Sequence, residues 1–101
     1  MWYNPLSELT REHVERYMQI TCRALDKISI SLPERSGLRK MADDFHIMAT
    51  AYYKDAVHFL EKGDIVNAFA CINYAHGWID SGARLGFFDV GDDDQLFTLY
   101  E

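Results

Sequence analysis

Few residues in this sequence can crosslink the chain or interrupt a helix, and none of its apolar runs is long. It has two cysteines and two prolines among 101 residues, and no run approaches the roughly 18 apolar residues of a membrane-spanning helix. Cys22 and Cys71 both fall within helical patterns, which suits reduced thiols better than a disulfide framework. The opening MWYNPLSELTREH has no basic region followed by an apolar one. We therefore expect a cytoplasmic protein with no membrane association and no secretory signal.

Basic charge is also scarce. The chain has 10 Lys and Arg residues against 16 Asp and Glu residues, for a net charge of −6. Phosphate neutralisation supplies most of the affinity for nucleic acid, so an acidic chain without a basic stripe predicts no nucleic-acid partner. The hydrophobic fraction of 49% and the charged fraction of 26% are those of an ordinary globular protein. At this length we expect one domain covering residues 1–101.

Helical periodicity is what the sequence does contain. Apolar residues recur every three or four positions over three segments, which predicts helices near residues 10–29, 35–62 and 64–86. Thr10 is the expected N-cap of the first helix. The apolar stripe of this helix consists of Val14, Met18, Thr21, Leu25 and Ile28.

The second helix has an apolar face broad enough to contact two neighbours. The stripe predicted to form its centre is Leu38, Met41, Phe45, Met48, Tyr52 and Phe59, and the residues that widen it are Ala42, Ala49, Tyr53, Ala56 and Leu60. Gly63 then supplies a left-handed stop, and Asp64 caps the next helix. Because almost no linker separates them, the second and third helices should form an antiparallel hairpin.

Small residues mark the third helix. Its broad apolar face includes Ala68, Ala75, Gly82 and Gly86. Small side chains let another helix approach closely, so the segment EKGDIVNAFACINYAHGWID is interpreted as a seam between helices and not as a chemical site. Gly77 and Gly82 each cost about 1 kcal/mol of helix propensity relative to Ala, which suggests packing against another backbone, or mobility. Loose packing at these glycines leaves small-molecule binding between the helices open as an alternative function.

Chemical motifs are sparse. Asp43–His46 and Asp55–His58 have the i,i+3 spacing of helical metal ligands, but the two pairs lie about 18 Å apart along a helix and cannot share an ion. No phosphate-binding loop, nucleophile elbow or paired zinc motif is present. We therefore predict no catalytic residue, no metal and no cofactor.

One pair of residues suggests an enzymatic alternative. Arg39 and His46 are seven positions apart and share a helix face, a spacing similar to that used by helical ribonucleases. An RNA-processing helical protein is therefore an alternative function, although the acidic surface argues against an RNA substrate. This alternative requires both side chains to point into a basic cleft.

Residues 48–90, MATAYYKDAVHFLEKGDIVNAFACINYAHGWIDSGARLGFFDV, resemble the archaeal family catalogued as domain of unknown function 357. The progression AYYKDA, FLEKGD, NAF, INYAHGWID and ARLG carries the resemblance. It implies an up-and-down, left-handed three-helix bundle and brings no activity, cofactor or catalytic residue. FLEKGDIVNAFACINYA is also similar to a single tetratricopeptide hairpin, which we interpret as shared helix-hairpin physics because a solenoid needs about three repeats.

We therefore predict an all-α fold: an up-and-down left-handed three-helix bundle with an extended C-terminal segment, residues 87–101, packed on its own bundle or on another chain. The favoured function is a non-enzymatic protein-interaction or self-association module, whose partner is another protein or a second copy. The predicted partner-binding residues are the aromatics beyond the needs of the bundle: Trp2, Tyr3, Phe87, Phe88, Phe97 and Tyr100. Interface cores are enriched in aromatic residues; the alternative role of these rings is to cover the ends of the core.

Overall fold

A computed structural model describes residues 8–91 as three helices: α1 (Arg11–Lys27), α2 (Gly37–Glu61) and α3 (Ile65–Arg84). They pack as an all-α three-helix bundle, and no β-strand occurs within residues 8–91. The predicted helix bounds differ from the observed ones by one or two residues at each end. The left-handed sense of the bundle stays a prediction.

Each helix begins at a side chain that caps it. Thr10, Ser36 and Asp64 each accept a hydrogen bond from the backbone N–H three residues later. This bond satisfies one of the N–H groups that have no partner in the first turn of a helix. The caps predicted at Thr10 and Asp64 are confirmed.

The ends of α2 and α3 share one backbone geometry. Gly63 and Gly86 follow these helices, each with φ of 80°. In both cases the N–H of the residue after the glycine donates to the carbonyl oxygen five positions earlier, at 2.9 Å after α2 and 2.8 Å after α3. This Schellman arrangement needs the left-handed conformation that glycine adopts without strain. After α2 it reverses the chain at once, which makes α2 and α3 an antiparallel hairpin.

Small residues form the contact line of this hairpin. Ala42, Ala49 and Ala56 are completely buried on α2 and repeat every seven positions. Ala68, Ala75 and Gly82 repeat in the same way on α3, where the Phe88 ring covers Gly82. Two helices with small residues along the seam can approach closely, and the larger side chains then pack beside it. The prediction that Leu38 and Met41 lie at the centre of the buried face of α2 is wrong, because these side chains are 53% and 56% exposed.

The third helix of the bundle, α1, packs on one side of the hairpin through Val14, Met18, Thr21 and Ala24. Beyond α1 the chain pairs with the segment that follows α3: Ser29 and Asp89 exchange backbone hydrogen bonds of 3.2 and 2.8 Å. The ends of α1 and α3 therefore meet at the same end of the bundle, where Phe87 and Phe88 pack against Ala42.

Candidate interaction surface

The two sides of the α2–α3 hairpin differ in what covers them. On one side α1 contacts α3 through Tyr17 and Phe69, whose ring centroids are 5.5 Å apart. Thr21 Oγ1 of α1 also lies 3.3 Å from His76 Nδ1 of α3. Within residues 8–91 no helix covers the opposite side of the hairpin. That uncovered side is the candidate interaction surface.

The part of this surface on α3, which we name the neutral face, follows the helical repeat on the side away from α1. It consists of Val66, Ala70, Asn73, Tyr74, Gly77 and Ser81, together with Leu85 at the C-cap. All seven residues are exposed. Val66, Tyr74 and Leu85 are more than 60% exposed, at 67%, 62% and 61%, so three large apolar or aromatic side chains point into solvent.

Charge is almost absent from α3. Only Asp80 and Arg84 are charged among its 20 residues. Asp80 lies toward α1, with its carboxylate 3.6 Å from His76 Nε2, and Arg84 is in the last turn. By contrast, all seven charged residues of α1 are exposed: Arg11, Glu12, Glu15, Arg16, Arg23, Asp26 and Lys27. The solvent side of α3 thus has a composition that a freely solvated helix seldom has.

Aromatic rings from α2 extend the surface. Tyr52 stacks on Tyr74 with centroids 5.2 Å apart and an interplanar angle of 22°. Phe45 packs edge-on against Trp78 at 4.8 Å and against Phe87 at 5.1 Å. Such offset and edge-to-face contacts favour fixed ring positions. These contacts join the aromatic rings of α2 to those of α3 and of the segment after α3.

A groove of about 550 Å³ runs along this surface. Its lining consists of Phe45, Ala70, Asn73, Tyr74, Gly77, Trp78 and Ser81. Aromatic and small side chains form most of the lining, and the lining residues that carry polar side-chain groups are Asn73, Ser81, Tyr74 and Trp78. The groove can therefore take an apolar, uncharged segment with a few hydrogen bonds at its edge.

The two glycines of α3 have different surroundings. A Cβ atom on Gly82 would overlap the ring of Phe88, so the fold itself requires a glycine there. A Cβ atom on Gly77 would meet no atom of residues 8–91 within 4 Å outside its own helical turn. Gly77 lowers helix propensity by about 1 kcal/mol relative to Ala, and no contact within the described chain explains it.

The cysteine of α3 lies at the edge of the surface facing α2. Burial raises the pKa of the Cys71 thiol, and the negative charge of Asp55 raises it further. Both effects disfavour the thiolate, which is the nucleophilic form. This environment is that of a packed thiol and does not activate Cys71 for catalysis.

A polar cluster links α1 to α3 on the covered side. Thr21 and His76 share a hydrogen-bond contact, and His76 in turn faces Asp80. Thr21 is completely buried, so its hydroxyl is out of reach of a substrate. The cluster can satisfy buried polar groups but has no accessible nucleophile.

The predicted partner-binding aromatics divide into two groups. Phe87 and Phe88 are only 7% and 4% exposed and belong to the core at one end of the bundle. In the described structure they pack into the core at this end, and their role in partner binding stays a prediction. The other four, Trp2, Tyr3, Phe97 and Tyr100, lie outside the described residues.

Arg39 and His46 do not meet in a basic cleft. The Arg39 guanidinium donates to Asp43 Oδ1 at 3.0 Å and to the Leu32 carbonyl oxygen at 2.9 Å. The shallow groove beside His46 is lined by His46, Ile47, Thr50, Ala51 and Lys54. The pairing that a ribonuclease mechanism needs is therefore not assembled on α2.

Residues 8–91 contain no group of three or more His, Cys, Asp or Glu side chains placed to hold a metal ion. Nor does any helix in the described part of the chain have the length and hydropathy needed to cross a membrane.

Sequence reasoning missed most of the surface. Leu38, Met41, Phe45 and Tyr52 were all predicted to be core, and Tyr74 and Trp78 were not singled out. Two signals could have found it. One is the scarcity of charge over the 20 residues of α3; the other is the position of Gly77 outside the buried line of small residues.

Comparison with known proteins gives one match. A family model described as "Protein of unknown function (DUF357)" matches residues 16–88. Searches of curated proteins and of solved structures each return no match.

Proposed function

The chain belongs to the DUF357 family, and we propose that it is a non-enzymatic protein-interaction module that binds its partner through the neutral face of α3. The observation that carries this proposal is the exposure of large apolar side chains on a helix with almost no charge. Val66, Tyr74 and Leu85 are each more than 60% exposed, and the groove beside them is floored by aromatic rings.

The composition of this surface is that of an interface core. Such cores are depleted in charged residues and enriched in aromatic residues and Met. The neutral face has no charged residue, and the adjoining edge of α2 adds Leu38, Met41, Phe45 and Tyr52. A contiguous apolar surface rimmed by polar residues is a common mark of a binding site in proteins.

The partner that fits the surface is a helix with an uncharged, apolar face. Two helices already flank the groove, so an incoming helix would complete a fourth position of the bundle, as helices do in apolar grooves of other proteins. A strongly basic or acidic partner would gain no ion pair at the neutral face.

The proposal also includes the cellular location, the source and the class of partner that we expect from the sequence. A cytoplasmic location, an archaeal source and the absence of a nucleic-acid partner remain parts of it, supported by the net charge of −6 and by the sequence resemblance described above.

The two other functions considered for this chain have less support. The ribonuclease alternative needs a basic cleft, and the Arg39 guanidinium is bound to Asp43 and Leu32. The small-molecule alternative needs an enclosed space between the helices, whereas the groove of about 550 Å³ between α2 and α3 is open to solvent.

Site-specific photocrosslinking tests the proposal. A photoreactive phenylalanine analogue replaces Tyr74 in the full chain, which is then expressed in its source cell and irradiated. We expect a discrete crosslinked product, and mass spectrometry should place the crosslink on an uncharged face of a helix.

The matched control has the same analogue in place of Gln19, which is exposed on the charged surface of α1. A crosslinking yield at position 74 no higher than at position 19 would contradict the proposal. So would a crosslink that maps to a charged segment of the other protein.

A further inference from the structure

We infer that the helix bound by the neutral face is α3 of a second copy of this chain, packed antiparallel to the first across a two-fold axis near Gly77 and Trp78. This inference rests on the proposed function and specifies its partner. In the resulting dimer, the uncovered sides of two α2–α3 hairpins would close on each other.

The order of side-chain sizes along the neutral face suits such a contact. When two copies of α3 pack antiparallel about a centre at Gly77–Trp78, residue numbers that face each other add up to 155. Tyr74 then faces Ser81 of the second copy, and Leu85 faces Ala70 of the second copy. Two of the three large side chains of the face therefore meet a small one, and the two-fold axis repeats both pairings.

The absence of charge on the neutral face is compatible with a second copy there. Each chain has a net charge of −6, so two copies repel each other over most of their surfaces. In a two-fold contact every residue near the axis lies close to its own equivalent, which brings like charges together wherever a charge occurs there. The neutral face has none, and it is therefore a surface on which two such acidic chains can meet.

Gly77 has a role in this arrangement that it lacks in the single chain. It lies near the crossing point, where the two helix backbones come closest. Within residues 8–91, a Cβ atom at this position would meet no atom within 4 Å other than those of its own helical turn, so these residues leave the space above Gly77 to the other helix.

The size of the surface sets the expected strength. From Val66 to Leu85 the face is about 29 Å long at 1.5 Å per residue. With the edge of α2 it is about 18 Å wide, given interaxial distances near 9 Å. Each chain would bury roughly 500 Å², at the lower limit for a specific interface. An interface of this size is typical of weak, transient complexes, so we expect a weak dimer.

The test is sedimentation velocity of the full chain from about 5 to about 500 µM, a range that brackets micromolar dissociation constants. We expect the mass to rise from 11.7 kDa toward twice that value. The variant Gly77→Glu places two carboxylates together near the axis and should raise the dissociation constant at least about tenfold. Glu also has a higher helix propensity than Gly, so this variant should not be less stable as a monomer.

Two variants of the full chain serve as controls. Gln19→Glu adds the same charge on the exposed side of α1 and should leave the dissociation constant unchanged. A double variant, Phe97→Asp with Tyr100→Asp, should also leave it unchanged. Loss of the dimer in this double variant would assign the contact to residues 92–101 and overturn the inference.

The remaining outcomes separate the two proposals. A monomer at all concentrations, together with a crosslink from position 74 to a helix of a different protein, rejects the second copy and keeps the proposed function. A monomer that gives no crosslink above the Gln19 control rejects both. A dimer that is as strong in Gly77→Glu as in the wild type shows that the contact lies elsewhere.

Discussion

Single residues in α3 show how the same amino acid can have unrelated roles. The absence of a side chain at Gly82 allows the Phe88 ring to lie directly on the helix backbone. Packing within the chain therefore determines the residue type at this position. Gly77 lies on the neutral face with open space above it. The two substitutions to Ala should therefore change the free energy of unfolding in opposite directions.

For Gly82→Ala we expect a loss of about 1–3 kcal/mol, because the new methyl group displaces the buried Phe88 ring and this outweighs the gain in helix propensity. For Gly77→Ala we expect a gain of about 0.5–1 kcal/mol, since Ala is the better helix former and meets no neighbour. Urea unfolding at a concentration where the chain is monomeric measures both. If Gly82→Ala were as stable as the wild type, Phe88 would not lie where the structure places it.

Tyr53 gives a prediction on pH. Burial raises the pKa of its phenol from 10.0 to about 12, with further contributions from a hydrogen bond with the Cys22 side chain and from the negative charges of Cys22 and Asp26. Between pH 10 and about pH 12, the Tyr53 phenol keeps its proton in the folded chain and loses it in the unfolded chain. The stability due to this group is therefore complete below pH 10 and falls as the pH rises toward 12.

The tyrosinate absorbance band follows this titration directly. The wild type should show a late component that is missing in Tyr53→Phe, and the stability of that variant should decrease less over the same pH window. Tyr17→Phe, on the exposed side of α1, is the control and should keep the late component. A wild-type curve in which all tyrosines titrate near pH 10, with no later component, would contradict the raised pKa of the Tyr53 phenol.

At the scale of elements, the α2–α3 turn is specified by two adjacent residues. Gly63 takes φ of 80° to end α2, and Asp64 begins α3 by accepting from the backbone N–H of Asn67. The Asn67 side-chain amide also donates to the Asp64 carboxylate at 2.7 Å, and these hydrogen bonds hold the pKa of Asp64 below its usual value of 3.8. The stability that this carboxylate contributes is present at neutral pH and is lost as the pH falls through its lowered pKa.

Gly63→Ala should destabilise the chain by about 1–2 kcal/mol, because a residue with a Cβ atom is strained in the left-handed conformation. Gly37→Ala is a matched control: Gly37 begins α2 without a positive φ, and a Cβ atom there meets nothing within 4 Å. We expect no loss of stability from it. Thermal unfolding of both variants by circular dichroism makes the comparison, and equal midpoints would show that the turn tolerates another geometry.

At the scale of the whole molecule, charge and apolar surface are separated. The exposed side of α1 is densely charged, while the neutral face of α3 has no charge at all. The net charge of −6 keeps copies of the chain apart at long range, and the neutral face is where apolar burial can overcome this repulsion. Association through the neutral face should therefore strengthen as the salt concentration rises, whereas association through ion pairs weakens.

Raising the salt from about 50 mM to about 500 mM shortens the Debye length to a few ångströms and screens the repulsion between two acidic chains. We expect the dimer dissociation constant to fall a few-fold over this range, as measured by sedimentation equilibrium. An interface held by ion pairs would instead weaken. A rise in the dissociation constant with salt would therefore place the contact on a charged surface.

The sequence by itself determined the features that depend on neighbouring residues. The number of helices, the caps at Thr10 and Asp64, the left-handed Gly63 and the antiparallel hairpin were all predictable, because a few adjacent residues decide each of them. Family membership was likewise evident from the progression of short motifs in the second half of the chain.

Only the tertiary structure decided which part of a broad apolar face becomes core. Two sets of side chains on α2 could form the face that packs against α3. One set is large and includes Leu38 and Met41, and the other consists of alanines and includes Ala49. Both have helical periodicity, so the pattern alone could not rank them. The alanines face α3 because small side chains let the two backbones approach closely over many turns. The large side chains are therefore left at the edge, where they form the surface that we propose binds a second copy.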